Sequence, residues 1–327
     1  MQANSAQRFI KSIIATFCYF DIFHHPLTLL ELKKYLINLS GNADSRIISN
    51  KKLFNTLQYL RNKQVIQSKN GFYFLKNKKQ NFSLRSLKHL YSQKLWKKAY
   101  FISKVISRLP FVRMIAVCNT LAMNNITSKS DIDLFIIIKN DYIWTARFFI
   151  TLAVSVLGLR RHKKKIAQRV CLSFYITQRA MNLKKITINL QQMPDIYFIY
   201  WFASLSPLFS EKETQENFFK KNIWIKNYLL NFYPYQPILY RRKVKLGVFS
   251  KKIKTFLESL LLKSLGQKLE KFLKELQFRK MSKNYWSKER EKNTDVIISD
   301  NILKFHEADR RREYRNRFLE KLKIVKF

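Results

Sequence analysis

The sequence predicts an α+β protein, on three observations. Apolar residues recur at helical spacing up to about residue 62 and then give way to two short β-prone runs around an Asn-Gly pair. Two β-branched runs, at 112–117 and 132–139, lie in the middle of the chain. From Gln191 the spacing is helical again, punctuated by Pro194, Pro207, Pro234 and Pro237. The expected organisation is an N-terminal unit at 1–82, a linking helix at 83–110, a strand-rich core at 111–190 and a basic, mainly α-helical region at 191–327.

Phe9, Ile13, Ile14, Phe17 and Phe20 define the first helix. After Pro26, Thr28 and Glu31 have the T-x-x-E spacing of a capping box, and Leu29, Leu32, Leu36 and Leu39 continue an apolar stripe. Leu53, Leu57 and Leu60 mark a third helix over 50–62, with Lys51, Lys52, Arg61 and Lys63 on or near its exposed side. Val65 to Leu75 reads as a hairpin turning at Asn70-Gly71, the strongest short-range hairpin signal. Three helices followed by a hairpin resemble a winged helix-turn-helix. That resemblance implies a third helix in the DNA major groove and a wing along the backbone, with Lys51, Lys52, Lys63 and Lys69 as contacts. The same unit can instead serve protein contacts or domain packing.

Residues 83–108 read as one long basic helix ending at Leu109-Pro110. Beyond it, Asp131 and Asp133 alternate with Ile132 and Leu134 in a strand, so both carboxylates point to one face. Two acids on one strand edge repel unless a cation lies between them, and paired carboxylates of this kind hold magnesium in two-metal phosphoryl-transfer sites. The stretch AVCNTLAMNNITSKSDIDLFIII, 116–138, resembles the nucleotidyltransferase superfamily that includes DNA polymerase beta. Its signature is an apolar strand, Gly-Ser, and then Asp-x-Asp in a second strand.

The resemblance implies a nucleotidyltransferase-fold mixed sheet with flanking helices. It implies Mg²⁺, in one or two sites, on Asp131 and Asp133, and a nucleoside triphosphate held by Asn119, Thr120 and Ser130. Asn119 stands where the family has Gly, and Asn is the residue next most tolerant of a left-handed backbone. A third carboxylate is expected from a later strand, yet 169–176, RVCLSFYI, holds none. Ser173 occupies an alternating position there, and Asp141 and Asp195 lie in loops.

Trp144 to Leu159 reads as an apolar helix over the sheet. The basic knot at 160–165 places Arg160, Arg161, Lys163 and Lys164 where they can hold a triphosphate or an acceptor nucleic acid, or form a solvated turn. Aromatic residues at 222–240 run into a basic cluster at 241–245, the composition of a single-strand groove, although core packing accounts for such rings as well. Ile253, Phe256, Leu260, Leu269, Phe272 and Leu276 predict one long amphipathic helix over 251–277. The segment from Asp300 reads as a solvated charged helix; the alternative is a tail folding back to offer His306 or Arg311 to the site.

The chain carries 63 Lys plus Arg against 21 Asp plus Glu, a formal +42, with aromatics at 15% of 327 residues. The aromatic content excludes a wholly disordered chain, and the charge calls for a polyanionic partner, nucleic acid before anionic lipid. Cys18, Cys118 and Cys171 are widely spaced, with neither CxxC nor a His at ligand spacing, which fits a reducing cytoplasm. No export signal is expected at the N-terminus, and the apolar runs are too short for a transmembrane segment. The expected function is Mg-dependent transfer of a nucleoside monophosphate from a nucleoside triphosphate to nucleic acid or protein. The alternatives are a non-catalytic nucleic-acid-binding regulator on a degenerate core and a peripheral membrane contact.

Overall fold

The fold is taken from a computed structural model, which describes residues 2–39, 48–76, 80–162, 165–188, 194–211, 213–229, 231–233, 243–262, 264–282, 294–306 and 309–325. Among these the protein is α+β, with eleven α-helices, a three-stranded antiparallel sheet and a mixed six-stranded sheet.

The small sheet belongs to the N-terminal unit, α1 (Gln2–Asp21), β1 (Leu27–Thr28), α2 (Leu29–Tyr35), α3 (Asn50–Asn62), β2 (Ile66–Lys69) and β3 (Phe72–Leu75). Thr28 caps α2 as its spacing predicts: its hydroxyl accepts from the Glu31 amide at 3.2 Å while Glu31 accepts from the Thr28 amide at 3.0 Å. Asn70 and Gly71 both take positive φ, 49° and 78°, the geometry that joins β2 to β3 by a tight turn. Leu53, Leu57 and Leu60 are fully buried and fix α3 against the unit's core. β1, too short to announce itself in the sequence, adds to the far edge of β3.

The long helix α4 (Gln80–Ile106) leads into β4 (Val112–Val117), α5 (Asn119–Ala122), β5 (Ile132–Ile138), α6 (Ile143–Val156) and β6 (Val170–Thr177). β5 and β6 run parallel, as the α6 crossover requires, and β4 pairs antiparallel to β5. Ile115, Val117, Ile132, Leu134, Ile136 and Ile138 are buried on one face beneath α4 and α6. Met114, Ala116, Phe135, Ile137 and Phe174 are buried on the other, which continues into the core of the N-terminal unit. Both faces are covered, so the strands are apolar throughout rather than alternating.

The region beyond residue 190, expected to be mainly helical, holds three strands as well as helices. It contains α7 (Ile196–Ser204), β7 (Ser206–Ser210), α8 (Thr214–Lys221), α9 (Val248–Leu261), α10 (Ser264–Ser282), β8 (Val296–Ile298), β9 (Ile302–Phe305) and α11 (Arg311–Ile324). Three of its strands complete the sheet, in the order β7-β4-β5-β6-β9-β8. The apolar run from Ile196 is therefore a helix and then a strand, broken at Leu205. The expected continuous helix over 251–277 is two helices that turn a corner, α9 ending at Leu261 and α10 starting at Ser264. Gly266 makes that corner, because a Cβ there would lie 1.5 Å from the Leu261 carbonyl oxygen.

The C-terminal segment is not a solvated charged helix either. Its start is strand β9, and α11 packs against α1 and α7. Charge concealed the burial, since Arg311 is only 3% exposed yet is fully paired.

Candidate functional site

The candidate site sits at the start of β5. The Cys118 amide donates to the Asp133 carbonyl at 3.1 Å, tying the β4–α5 turn to the strand. Asn119, next in line, has φ 56°, the left-handed conformation expected where a glycine would otherwise stand. Its side chain also hydrogen-bonds the Asp133 carboxylate. Thr120 is exposed at the turn. Ser130 is half-buried, and its hydroxyl accepts from the Thr127 amide at 2.9 Å, holding the turn that delivers Asp131.

Asp131 and Asp133 are both half-buried and project to the same side. β6 brings Cys171 opposite Asp133 in the parallel register, and one ligand atom from each of Asp131, Asp133 and Cys171 lies within 4.8 Å of the others. Cys171 has no ligand-type neighbour along the chain to signal this; only the strand pairing supplies one. Burial, then the neighbouring Asp131, raise the Asp133 carboxyl to about 6, while Asn119, Cys171 and Arg161 hold it lower than burial alone would. Burial and the Asp133 charge push the Cys171 thiol up to about 12.

Arg161 reaches Asp131 Oδ2 at 2.7 Å and Cys171 Sγ at 3.8 Å. The basic knot thus places one guanidinium on the aspartate pair. Arg160 is half-buried in a bridge to Val170, and Lys163 and Lys164 lie outside the described residues. Neither loop aspartate supplies a third carboxylate. Asp141 pairs with Arg179 at the surface, and Asp195 caps α7 and accepts from Arg311.

The C-terminal segment completes the surroundings. Ser173, two residues along β6 from Cys171, lies 3.4 Å from His306 Nε2, immediately after β9. His306 Nδ1 is buried and has no hydrogen-bond partner among the described residues. Burial first, then Lys304, lower His306 to about 3, so the ring is neutral near pH 7. Arg311 anchors the segment: it donates to Asp309 at 2.7 Å, Asp295 at 2.9 Å and the Ile186 carbonyl at 3.0 Å.

Between this segment and the turn lies a cavity of about 140 Å³ lined by Asn119, Phe174, Tyr197, Trp201, His306 and Tyr314, among others. A second, of about 100 Å³, shares Asn119, Tyr197, Trp201 and Tyr314 and extends to Thr120 and Tyr19. The Tyr197 and Tyr314 rings stack at 5.2 Å and 6°. Sequence reasoning missed the tyrosines, Tyr197 within an apolar run and Tyr314 within the segment read as a solvated charged helix; the co-occurrence of His306 and Arg311 in one short segment was the available signal.

In the N-terminal unit, Lys51, Lys52 and Lys63 are exposed on or just beyond α3, and Lys69 is exposed on β2. Phe54 and Tyr59 are exposed on α3 with them. Lys52 lies over the Phe9 ring at 4.9 Å and Lys69 over Phe82 at 5.2 Å.

No helix among the described residues is long and apolar enough to cross a membrane. Compared with protein-family models, curated proteins and solved structures, the chain matches none.

Proposed function

We propose that the protein is a nucleotidyltransferase of the polymerase-beta-like kind, transferring a nucleoside monophosphate from a nucleoside triphosphate to an acceptor on nucleic acid or protein. The observation that carries this reading is the pairing of Asp131 and Asp133 on one strand edge with the left-handed Asn119 turn bonded to Asp133.

The donor set fits a hard divalent cation through two carboxylates. The raised Asp133 carboxyl fits as well, because two acids this close are held apart in charge until a cation joins them. Cys171 is a soft, protonated neighbour and contributes little to magnesium. A magnesium ion on Asp131 and Asp133 would neutralise phosphate charge and favour in-line displacement.

The remaining roles belong to the chain's own groups. Asn119 and Thr120 orient phosphate oxygens, Arg161 adds positive charge beside them, and the Tyr197–Tyr314 stack offers a wall for the base. Neutral His306, beside Ser173, is able to accept a hydrogen bond from an acceptor hydroxyl. Lys51, Lys52, Lys63 and Lys69, with the α1-β1-α2-α3-β2-β3 order of a winged helix, support nucleic acid as the acceptor or its guide.

A second reading, a nucleic-acid-binding regulator on an inactive core, draws on the Arg161–Asp131 pair and on Cys171 standing where an acid would complete the site. Pyrophosphate release decides between them. Incubation with Mg²⁺, each nucleoside triphosphate and bulk RNA, DNA or protein releases pyrophosphate if the first reading holds, and Asp131→Ala/Asp133→Ala abolishes it. Absence of release, with nucleic acid still bound, supports the second.

A further inference from the structure

α9 and α10 are amphipathic helices mounted the unusual way round. α9 turns two of its four charges inward: Lys254, 3% exposed, pairs with Glu211 at 2.5 Å, and Glu258 accepts from Arg113 at 2.6 Å and from the Phe111 amide at 2.7 Å. α10 does the same with Glu270, which accepts from the Trp144 and Thr145 amides at the start of α6, each at 2.8 Å. The outward stripes are apolar: Phe249 is 76% exposed, Phe256 62%, Leu265 71% and Phe272 61%, with Ile253, Leu260 and Leu276 also exposed. These include most of the residues whose spacing marks the segment as amphipathic, so the stripe is real and faces solvent.

The two helices also repeat one another. Residues 249–261 and 265–277 align with Lys252 over Lys268, Phe256 over Phe272, Leu257 over Leu273 and Leu260 over Leu276. In each helix the exposed Lys, Phe and Leu follow at i, i+4 and i+8 and therefore share one face. Each copy sets a lysine at the edge of an exposed phenylalanine. Of the acids on these helices, Glu258 and Glu270 are turned inward, leaving Glu275 exposed, whereas Lys251, Lys252, Lys268 and Lys271 are all exposed.

We infer that the α9–α10 pair is a membrane-surface anchor that seats Phe249, Phe256, Leu265 and Phe272 in the headgroup region of an anionic bilayer. An exposed aromatic and aliphatic stripe with lysines at its margin is the composition that lies in a lipid interface, and the lysines and the chain's +42 charge select anionic lipid. A nucleic-acid groove would leave the aliphatic residues unmatched. The inference stands independently of the transferase reading, because none of these residues lines the aspartate site.

The test is co-sedimentation of the full chain with vesicles of phosphatidylcholine alone or with phosphatidylglycerol, free of nucleic acid. The wild type should sediment with the phosphatidylglycerol vesicles and remain soluble with phosphatidylcholine. Phe256→Glu/Phe272→Glu should weaken the partition at least tenfold, and Lys252→Gln/Lys268→Gln a few-fold, with thermal melts unchanged because all four positions are exposed. Three outcomes would overturn the inference: no vesicle binding by the wild type, equal binding by the Phe→Glu variant, or a wild-type dimer that the Phe→Glu variant dissociates, which would make this face an interface between copies.

Discussion

Cys171 stands directly opposite Asp133 across the parallel β5–β6 pair, at the position from which a third carboxylate would complete a metal-binding triad. Cys171→Asp should therefore tighten divalent-cation binding severalfold, measured by Mn²⁺ titration. Unchanged affinity would mean that β6 does not face the cation.

Burial governs the thiol chemistry. Burial and neighbouring carboxylates raise Cys18 and Cys171 to about 12 and Cys118 well above its usual range. The thiolate is the reactive form, so all three should be sluggish at pH 8, by at least tenfold relative to the unfolded chain. Thiol counting with a chromogenic disulfide reagent, native against denatured, measures this; rapid modification of the native protein would refute it.

Arg311 is the strut of the C-terminal segment. Removing its guanidinium leaves Asp195 buried without its cation and Asp309 with Lys304 alone, so Arg311→Ala should cost about 3–5 kcal/mol in urea unfolding. Loss of less than about 1 kcal/mol would show that the segment is held by packing alone.

Acid should destabilise the fold early. His25 and His306 are buried with lowered pKa values, His306 at about 3, so the unfolded chain binds their protons first. Their stabilisation is complete above pH 6.5 and is lost as pH falls from 6.5 toward 3, by up to about 1.4 kcal/mol per pH unit for each ring. His306→Asn should make this slope shallower. A slope identical to the wild type's would place the effect elsewhere.

What was legible in the sequence was local. The capping box, the Asn-Gly turn, α3 and the alternation of Asp131 with Asp133 each depend on residues a few positions apart, and each is present as read. What escaped depends on residues joined only by the sheet. Cys171 meets Asp133 through parallel pairing, and His306 meets Ser173 because β9 lies beside β6. Strands β7 to β9 escaped because short strands next to proline and charge carry little periodicity. The charged run at 309–312 hid a buried arginine whose partners, Asp195 and Asp295, lie far off in sequence.

The most direct measurement follows the label. With Mg²⁺ and matched α- and γ-labelled nucleoside triphosphates, α-label should enter a macromolecular acceptor while γ-label leaves as pyrophosphate, and Asp131→Asn/Asp133→Asn should abolish both. Transfer of γ-label, or no transfer of α-label to any RNA, DNA or protein acceptor by a protein that still binds the nucleotide, would contradict the assignment.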